Sequence, residues 1–145
     1  MNRFIHYLIM WGVFTILFTL ATVGLEILEG NKIKTTEYYG LMNLGFLMFI
    51  VFYFIFGLII YPISFLPLTF LANKFVNSTI VRIVIYSIIG GISGIGAFNR
   101  LYGGYFINRY ELNISSAIIV FGVSGLIYAL VDYISENKTL VAQQE

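Results

Sequence analysis

The sequence contains no cysteine, and this absence removes several kinds of site at once. Disulfide frameworks, thiolate metal sites and cysteine nucleophiles all need a sulfhydryl group that the chain does not have. The one histidine, His6, has no acidic residue close to it in the sequence, so it is a poor candidate for a metal ligand or a catalytic base. We therefore expect no metal and no cofactor, and we interpret His6 as a polar group at a membrane interface.

Charged residues are also scarce. They make up 10% of the 145 residues, whereas an ordinary soluble domain has roughly 25%. The net charge of +1 gives no basic surface for nucleic acid, so nucleic-acid binding is not expected. Hydrophobic residues account for 59% of the chain, which is more apolar surface than a water-soluble fold of this size could bury. The solvent that this composition requires is lipid.

Long apolar runs take the place of the missing charges. A helix needs about 20 apolar residues to cross the hydrocarbon, and unpaired backbone amides there cost several kcal/mol each. We predict an all-α integral membrane bundle of four transmembrane helices with short loops, forming a single domain over 1–145. The predicted helices cover about 4–25, 39–61, 83–99 and 112–131.

Pro62 and Pro67 interrupt an uncharged run that is too long for one upright helix. We interpret 63–72 as a kinked extension of the second helix or an interfacial segment, with a re-entrant loop as the remaining alternative. Tyrosines are expected at headgroup depth at both ends of the spans, where amphipathic rings are common: Tyr7, Tyr61 and Tyr133 on one side, and Tyr38, Tyr39, Tyr102, Tyr105 and Tyr110 on the other.

The predicted first helix carries small and polar residues on one face. Thr15, Thr19, Thr22 and Glu26 continue a stripe that starts at Gly12, at intervals of three and four. We interpret the stripe as a packing seam against other helices. The alternative is a polar pathway that ends at Glu26, although a position near the helix end would leave that carboxyl group solvated by water or headgroups.

The third and fourth predicted helices carry matching series of small residues, which let two backbones approach closely. We predict that these helices pack together through Ser87, Gly90, Gly94 and Ala97 on one and Gly122, Gly125 and Ala129 on the other.

Opposite charges are expected to pair at both ends of the bundle. Chain direction puts Arg82 level with Asp132, and Glu26 level with Arg100. Because a charge within the bilayer is costly unless it is paired, we predict that these two ion pairs fix the register of the helices.

The later half of the chain carries Tyr61-Pro62-Ile63-Ser64-Phe65-Leu66, then Arg82, Gly90-Gly91 and Leu126-Ile127-Tyr128-Ala129-Leu130-Val131-Asp132. This pattern resembles an uncharacterised family of small multi-pass membrane proteins from Bacillus and its relatives. The resemblance implies a location in the bacterial plasma membrane, and it implies no particular activity.

The chain offers no nucleophile with a base, metal cluster or pair of catalytic carboxylates, so we expect that it is not an enzyme. The leading hypothesis is an accessory, immunity-like or regulatory component of the cell membrane. Its expected partners are the lipid bilayer and another membrane protein or a second copy of the chain. The alternative is a small oligomeric transporter or channel, with Thr15, Thr19, Thr22 and Glu26 lining the route.

Overall fold

The computed structural model of the protein describes residues 3–141, and the side chains of residues 4–136. The described residues form an all-α bundle, as predicted; the predicted single domain of 1–145 reaches beyond them at both ends. The helices are α1 (Arg3–Leu28), α2 (Leu41–Leu44), α3 (Phe46–Ile63), α4 (Phe65–Phe75), α5 (Thr79–Tyr110) and α6 (Ile114–Val141), with a 3-10 turn at Gly30–Lys32. Four of them, α1, α3, α5 and α6, are long and apolar enough to cross a membrane.

The second membrane-length helix starts later than the sequence suggests. The predicted helix over 39–61 is wrong at its beginning, because α2 ends at Leu44 and α3 starts at Phe46. Gly45 separates the two helices with φ 80° and ψ 153°, a conformation that residues with a Cβ seldom adopt. The residues before Gly45 therefore belong to a folded segment between α1 and α3.

Pro62 ends α3 and at the same time creates a contact with α1. Proline has no amide hydrogen, so the carbonyl group of Leu58, four residues earlier, loses its helical donor. The indole Nε1 of Trp11 donates to that carbonyl oxygen at 3.0 Å. The helix is interrupted at Ser64, and α4 begins at Phe65. The segment 63–72 therefore lies mostly in a separate helix of 11 residues that follows the kink.

The third membrane-length helix is longer than predicted. We expected about 83–99, bounded by two arginines, but α5 has 32 residues and continues through Arg82 and Arg100. The uncharged interval between the two arginines predicts how much of the helix lies in hydrocarbon. It does not predict where the helix ends, because the backbone hydrogen bonds continue past both arginines. It kinks at Gly103, where φ is 60° and ψ is 161°.

Glycines bring α5 and α6 into backbone contact, in the arrangement that the small residues predicted. A Cβ at Gly94 would lie 2.6 Å from the Ala117 carbonyl oxygen, and one at Gly90 or Gly125 would overlap a carbonyl group of the facing helix. Ser87 and Gly122 lie at the same contact. Of the remaining predicted residues, Ala129 is buried in the core beside these helices, while Ala97 is half-buried.

Helix α1 packs against both α3 and α6 and connects the two halves of the bundle. Its buried residues contribute to two apolar clusters, one around Met10 and Phe14 and the other around Ala21 and Leu25. The polar groups described next lie beside these two clusters.

Candidate functional site

Glu26 lies inside the bundle near the end of α1, with 1% of its surface exposed. The Tyr38 hydroxyl donates to its Oε2 atom at 2.9 Å, and the Tyr102 hydroxyl donates to the same atom at 3.1 Å. Gly30 and Gly40 also lie against the carboxyl group, and a Cβ at either position would overlap it. We call these five residues the Glu26 cluster; it joins α1, the segment after it and α5.

The segment from 29 to 45, which contributes Gly30, Tyr38 and Gly40 to the Glu26 cluster, folds back over the end of α1. The Tyr38 ring stacks on the Tyr102 ring, with centroids 5.9 Å apart, and meets Phe106 edge-on at 5.5 Å. The Asn43 side-chain amide donates to the carbonyl oxygens of Thr35, at 2.8 Å, and of Tyr38. Burial, and then the nearby Glu26 carboxylate, raise the pKa of Tyr38 well above its usual range, so its hydroxyl remains a hydrogen-bond donor.

Glu29 connects the end of α1 to the start of α6. Its Oε2 atom accepts from Lys32 Nζ at 2.7 Å and from the Asn113 amide at 2.9 Å, and its Oε1 atom accepts from the Ser116 hydroxyl at 2.5 Å. Amides at the start of a helix have no partner within the helix, and Glu29 supplies an acceptor there. Sequence reasoning did not single out this residue.

The predicted pair of Glu26 and Arg100 is wrong. Arg100 is exposed and makes no hydrogen bond or ion pair within residues 4–136. Tyr102 lies two residues further along α5, which is about 200° around a helix of 3.6 residues per turn, so the face that reaches Glu26 carries the tyrosine and not the arginine. The expectation that water or headgroups solvate Glu26 is wrong for the same reason, because tyrosine hydroxyls enclose it.

The predicted pair of Arg82 and Asp132 is also replaced by other contacts. Asp132 Oδ1 lies 2.9 Å from His6 Nε2 of α1, and both side chains are buried. Arg82 donates to Glu136 Oε2 at 2.5 Å and to the Val76 carbonyl oxygen at 2.7 Å. Glu136 lies one helical turn beyond Asp132 on α6. It binds Arg82, whereas Asp132 contacts His6 of α1. His6 is therefore a buried partner of Asp132.

A double-mutant cycle joining His6→Ala and Asp132→Ala is expected to give a coupling energy of about 0.5–3 kcal/mol, because each single change leaves the other group buried without its partner. The cycle joining Arg82→Ala and Asp132→Ala should give a smaller value. Unfolding in mixed detergent micelles, followed by circular dichroism, measures both. A larger coupling in the second cycle would restore the pairing that chain direction suggested.

The threonine stripe of α1 faces the interior but bonds to its own helix. The Thr15 hydroxyl donates to the Trp11 carbonyl oxygen at 2.9 Å. The hydroxyls of Thr19 and Thr22 donate to backbone carbonyls one turn earlier, at 2.8 Å each. Beside Thr15, a Cβ added to Gly57 of α3 would lie 3.4 Å from the Thr15 Cα atom. This arrangement favours the packing seam, because the hydroxyls already have acceptors and the backbones are close.

A group of buried tyrosines lies near the other end of the bundle. The Tyr128 hydroxyl is 2.8 Å from Thr69 Oγ1 and 3.3 Å from the Tyr61 hydroxyl. The hydroxyl of neighbouring Tyr86 is buried without a hydrogen-bond partner among the described residues. Tyr61, Tyr38 and Tyr102 lie inside the protein and not on its outer surface, and their headgroup depth stays a prediction. A buried carboxyl group needs hydrogen-bond donors. The presence of Glu26 could therefore have indicated that Tyr38 and Tyr102 are buried beside it.

A groove of about 620 Å³ runs between α3 and α5, with α1 and α6 as its floor. Helix α3 packs on α1 and α4, whereas α5 packs on α6, and the groove is the gap that this leaves. Its walls carry Phe52 and Phe56 of α3, which are 60% and 45% exposed, and Ser93 and Arg100 of α5. The exposed walls show that the groove opens sideways, toward the surroundings of the helices. No sequence pattern predicts this groove, because it lies between helices that do not pack against each other along their length.

The described residues hold no group of three or more histidine or acidic side chains that could bind a metal ion. The carboxyl groups of Glu26, Glu29 and Asp132 instead hold helices and segments together. Comparisons of the chain with family models, curated proteins and solved structures find no match.

Proposed function

We propose that the chain is a multi-pass protein of a cell membrane, of bacterial plasma-membrane type, that works without enzymatic activity as an accessory, immunity-like or regulatory component. It acts by lateral contact with another membrane protein. The resemblance of the later half of the chain to a family of bacterial membrane proteins supports this location. That resemblance stays a prediction.

The observation that carries this proposal is how the interior polar groups are used. The buried carboxyl groups of Glu26, Glu29 and Asp132 are bonded to other groups of the same chain, and the α1 threonine hydroxyls are bonded to their own helix. A transport route or an active site needs polar groups that can exchange partners with a substrate. Groups that already hold the fold together support a scaffold role instead.

Helix α3 supplies the surface for contact. It is the least buried of the four membrane-length helices. Leu47, Val51 and Ile55 follow one another at intervals of four along its outer side, and all three are exposed. Leu47 and Val51 lie about 100° or more around the helix from Phe52 and Phe56, which line the groove, so a partner could cover this part of the ridge without entering the groove.

Photo-crosslinking in the source membrane tests the proposal. A photoreactive amino acid at Val51 or Ile55 is expected to give one protein adduct of defined mass, and the same amino acid at Ile119 of α6, which is 63% exposed, is the matched control. Lipid adducts alone at all three positions, or one common set of protein adducts, would contradict a specific contact through α3.

A flux assay tests the alternative of a transporter or channel. Proteoliposomes of the purified protein are expected to show no proton or ion flux above protein-free vesicles, and Glu26→Gln should not change this result. Flux that is present with Glu26 and lost with Glu26→Gln would replace the proposal with transport along the α1 face.

A further inference from the structure

We propose that the groove between α3 and α5 binds one acyl chain of an anionic phospholipid, whose headgroup phosphate pairs with Arg100. This inference does not depend on the proposed function, because it concerns a different surface and a different partner.

The charge of Arg100 is the first argument. Arg100 lines the groove, and its side chain makes no hydrogen bond or ion pair within residues 4–136. An arginine close to the hydrocarbon needs an anion or water as a partner. The planar guanidinium group can donate two parallel hydrogen bonds to a phosphate group. Basic pockets between transmembrane helices are sites where anionic headgroups bind.

The position of Arg100 along α5 is the second argument. Arg82 and Arg100 are 18 residues apart on one helix, which is about 27 Å at 1.5 Å per residue, close to the hydrocarbon thickness of about 30 Å. The two arginines therefore mark opposite boundaries of the hydrocarbon. A headgroup at Arg100 would lie at its ordinary depth, and the chain attached to it would run inward.

The shape and lining of the groove are the third argument. From Arg100 to Gly90 it follows α5 for ten residues, which is about 15 Å and so about half of the hydrocarbon thickness. Apart from Arg100 the walls are mainly aromatic and aliphatic, with Phe52, Phe56 and Leu101 among them. The volume of about 620 Å³ falls within the usual range of ligand pockets, about 300–1,000 Å³.

Gly96 allows the groove to be filled without disturbing the helices. It lines the groove on α5, and a Cβ placed on it meets nothing within 4 Å. Gly12 on α1 is also exposed and open, but it does not line the groove. Gly96→Leu and Gly12→Leu are therefore a matched pair, of which only the first places a side chain in the acyl-chain site.

The test uses the purified full-length protein in detergent, with dioleoylphosphatidylglycerol and dioleoylphosphatidylcholine as probes and native mass spectrometry as the readout. The unchanged protein is expected to retain one phosphatidylglycerol about tenfold more strongly than one phosphatidylcholine. Arg100→Gln should remove this preference, and Arg100→Lys should keep part of it. Gly96→Leu should weaken both lipids, while Gly12→Leu should weaken neither.

Two further arms separate the groove from other sources of binding. Lys34→Gln removes an exposed charge on the same side of the bundle and is expected to keep the preference. Millimolar inorganic phosphate should not displace the lipid, because the acyl chain supplies much of the affinity. Equal binding of the two lipids, a preference that survives Arg100→Gln, or equal binding by Gly96→Leu and Gly12→Leu would each overturn the proposal.

Discussion

Replacing Gly125 with alanine is expected to cause a larger loss of stability than an added methyl group on the open faces of the helices. The new Cβ would overlap the Tyr86 carbonyl oxygen across the contact between α5 and α6, and Gly94→Ala would bring a Cβ to 2.6 Å from the Ala117 carbonyl oxygen. Backbone atoms cannot rotate away as a flexible side chain can, so the two helices must separate. Overpacking of this kind costs about 1–3 kcal/mol.

Gly96→Ala is the control on the same helix. Its Cβ meets nothing within 4 Å, and alanine is a better helix former than glycine by about 1 kcal/mol in helix interiors. We therefore expect unchanged or higher stability for Gly96→Ala and lower stability for Gly94→Ala and Gly125→Ala. Unfolding in mixed detergent micelles, followed by near-ultraviolet circular dichroism, compares the three. Equal midpoints would mean that the two helices do not pack through these glycines.

Removing one hydroxyl group from the Glu26 cluster is expected to have the second large effect. Tyr38→Phe and Tyr102→Phe each delete a donor to a carboxyl group that is 1% exposed. Each variant leaves the shared Oε2 atom with one tyrosine donor, so we expect the loss of one buried hydrogen bond, about 0.5–3 kcal/mol. The segment from 29 to 45 should also loosen over the end of α1, since Tyr38 attaches it there. Hydrogen exchange of its amides measures that loosening, and detergent unfolding measures the stability.

Tyr39→Phe provides the matched control one residue away. Tyr39 is 77% exposed, so loss of its hydroxyl should change neither the unfolding midpoint nor the exchange of the segment. If Tyr38→Phe behaved like Tyr39→Phe, the hydroxyl bond to Glu26 would contribute nothing to the fold. Glu26→Gln adds a further comparison, because it keeps the shape of the side chain and an amide oxygen that can take the place of the Oε2 atom, to which both tyrosines donate.

Some features of the bundle could be read from residue types alone. Four apolar runs indicate four membrane-length helices, because a chain in lipid has to satisfy its amides within each helix. Glycines at helical spacing on two neighbouring runs indicate close packing, because a missing side chain leaves room for another backbone. Both conclusions depend on local properties of the chain, and for that reason they agree with the structure at Gly90, Gly94 and Gly125.

The partners of the charged groups could not be read in the same way. Chain direction places Glu26 and Arg100 at the same position along the bundle. That position does not specify how each helix is rotated about its own axis. Tyr102 is two positions after Arg100, about 200° around the helix, and the rotation of α5 decides that the tyrosine reaches Glu26. Chain direction also places a residue along the bundle only to within about one helical turn. The predicted partner of Arg82 was Asp132, whereas the observed partner is Glu136, one turn later on α6.

Consecutive residues are enough to predict a lipid environment, an all-α fold and the two helices that touch through glycines, since each of these follows from local chemistry. The packing of the helices was needed to show that tyrosines enclose Glu26, that His6 lies beside Asp132 and that a groove remains between α3 and α5. These features depend on the rotation and separation of helices that are far apart in the chain, and no local pattern specifies either quantity.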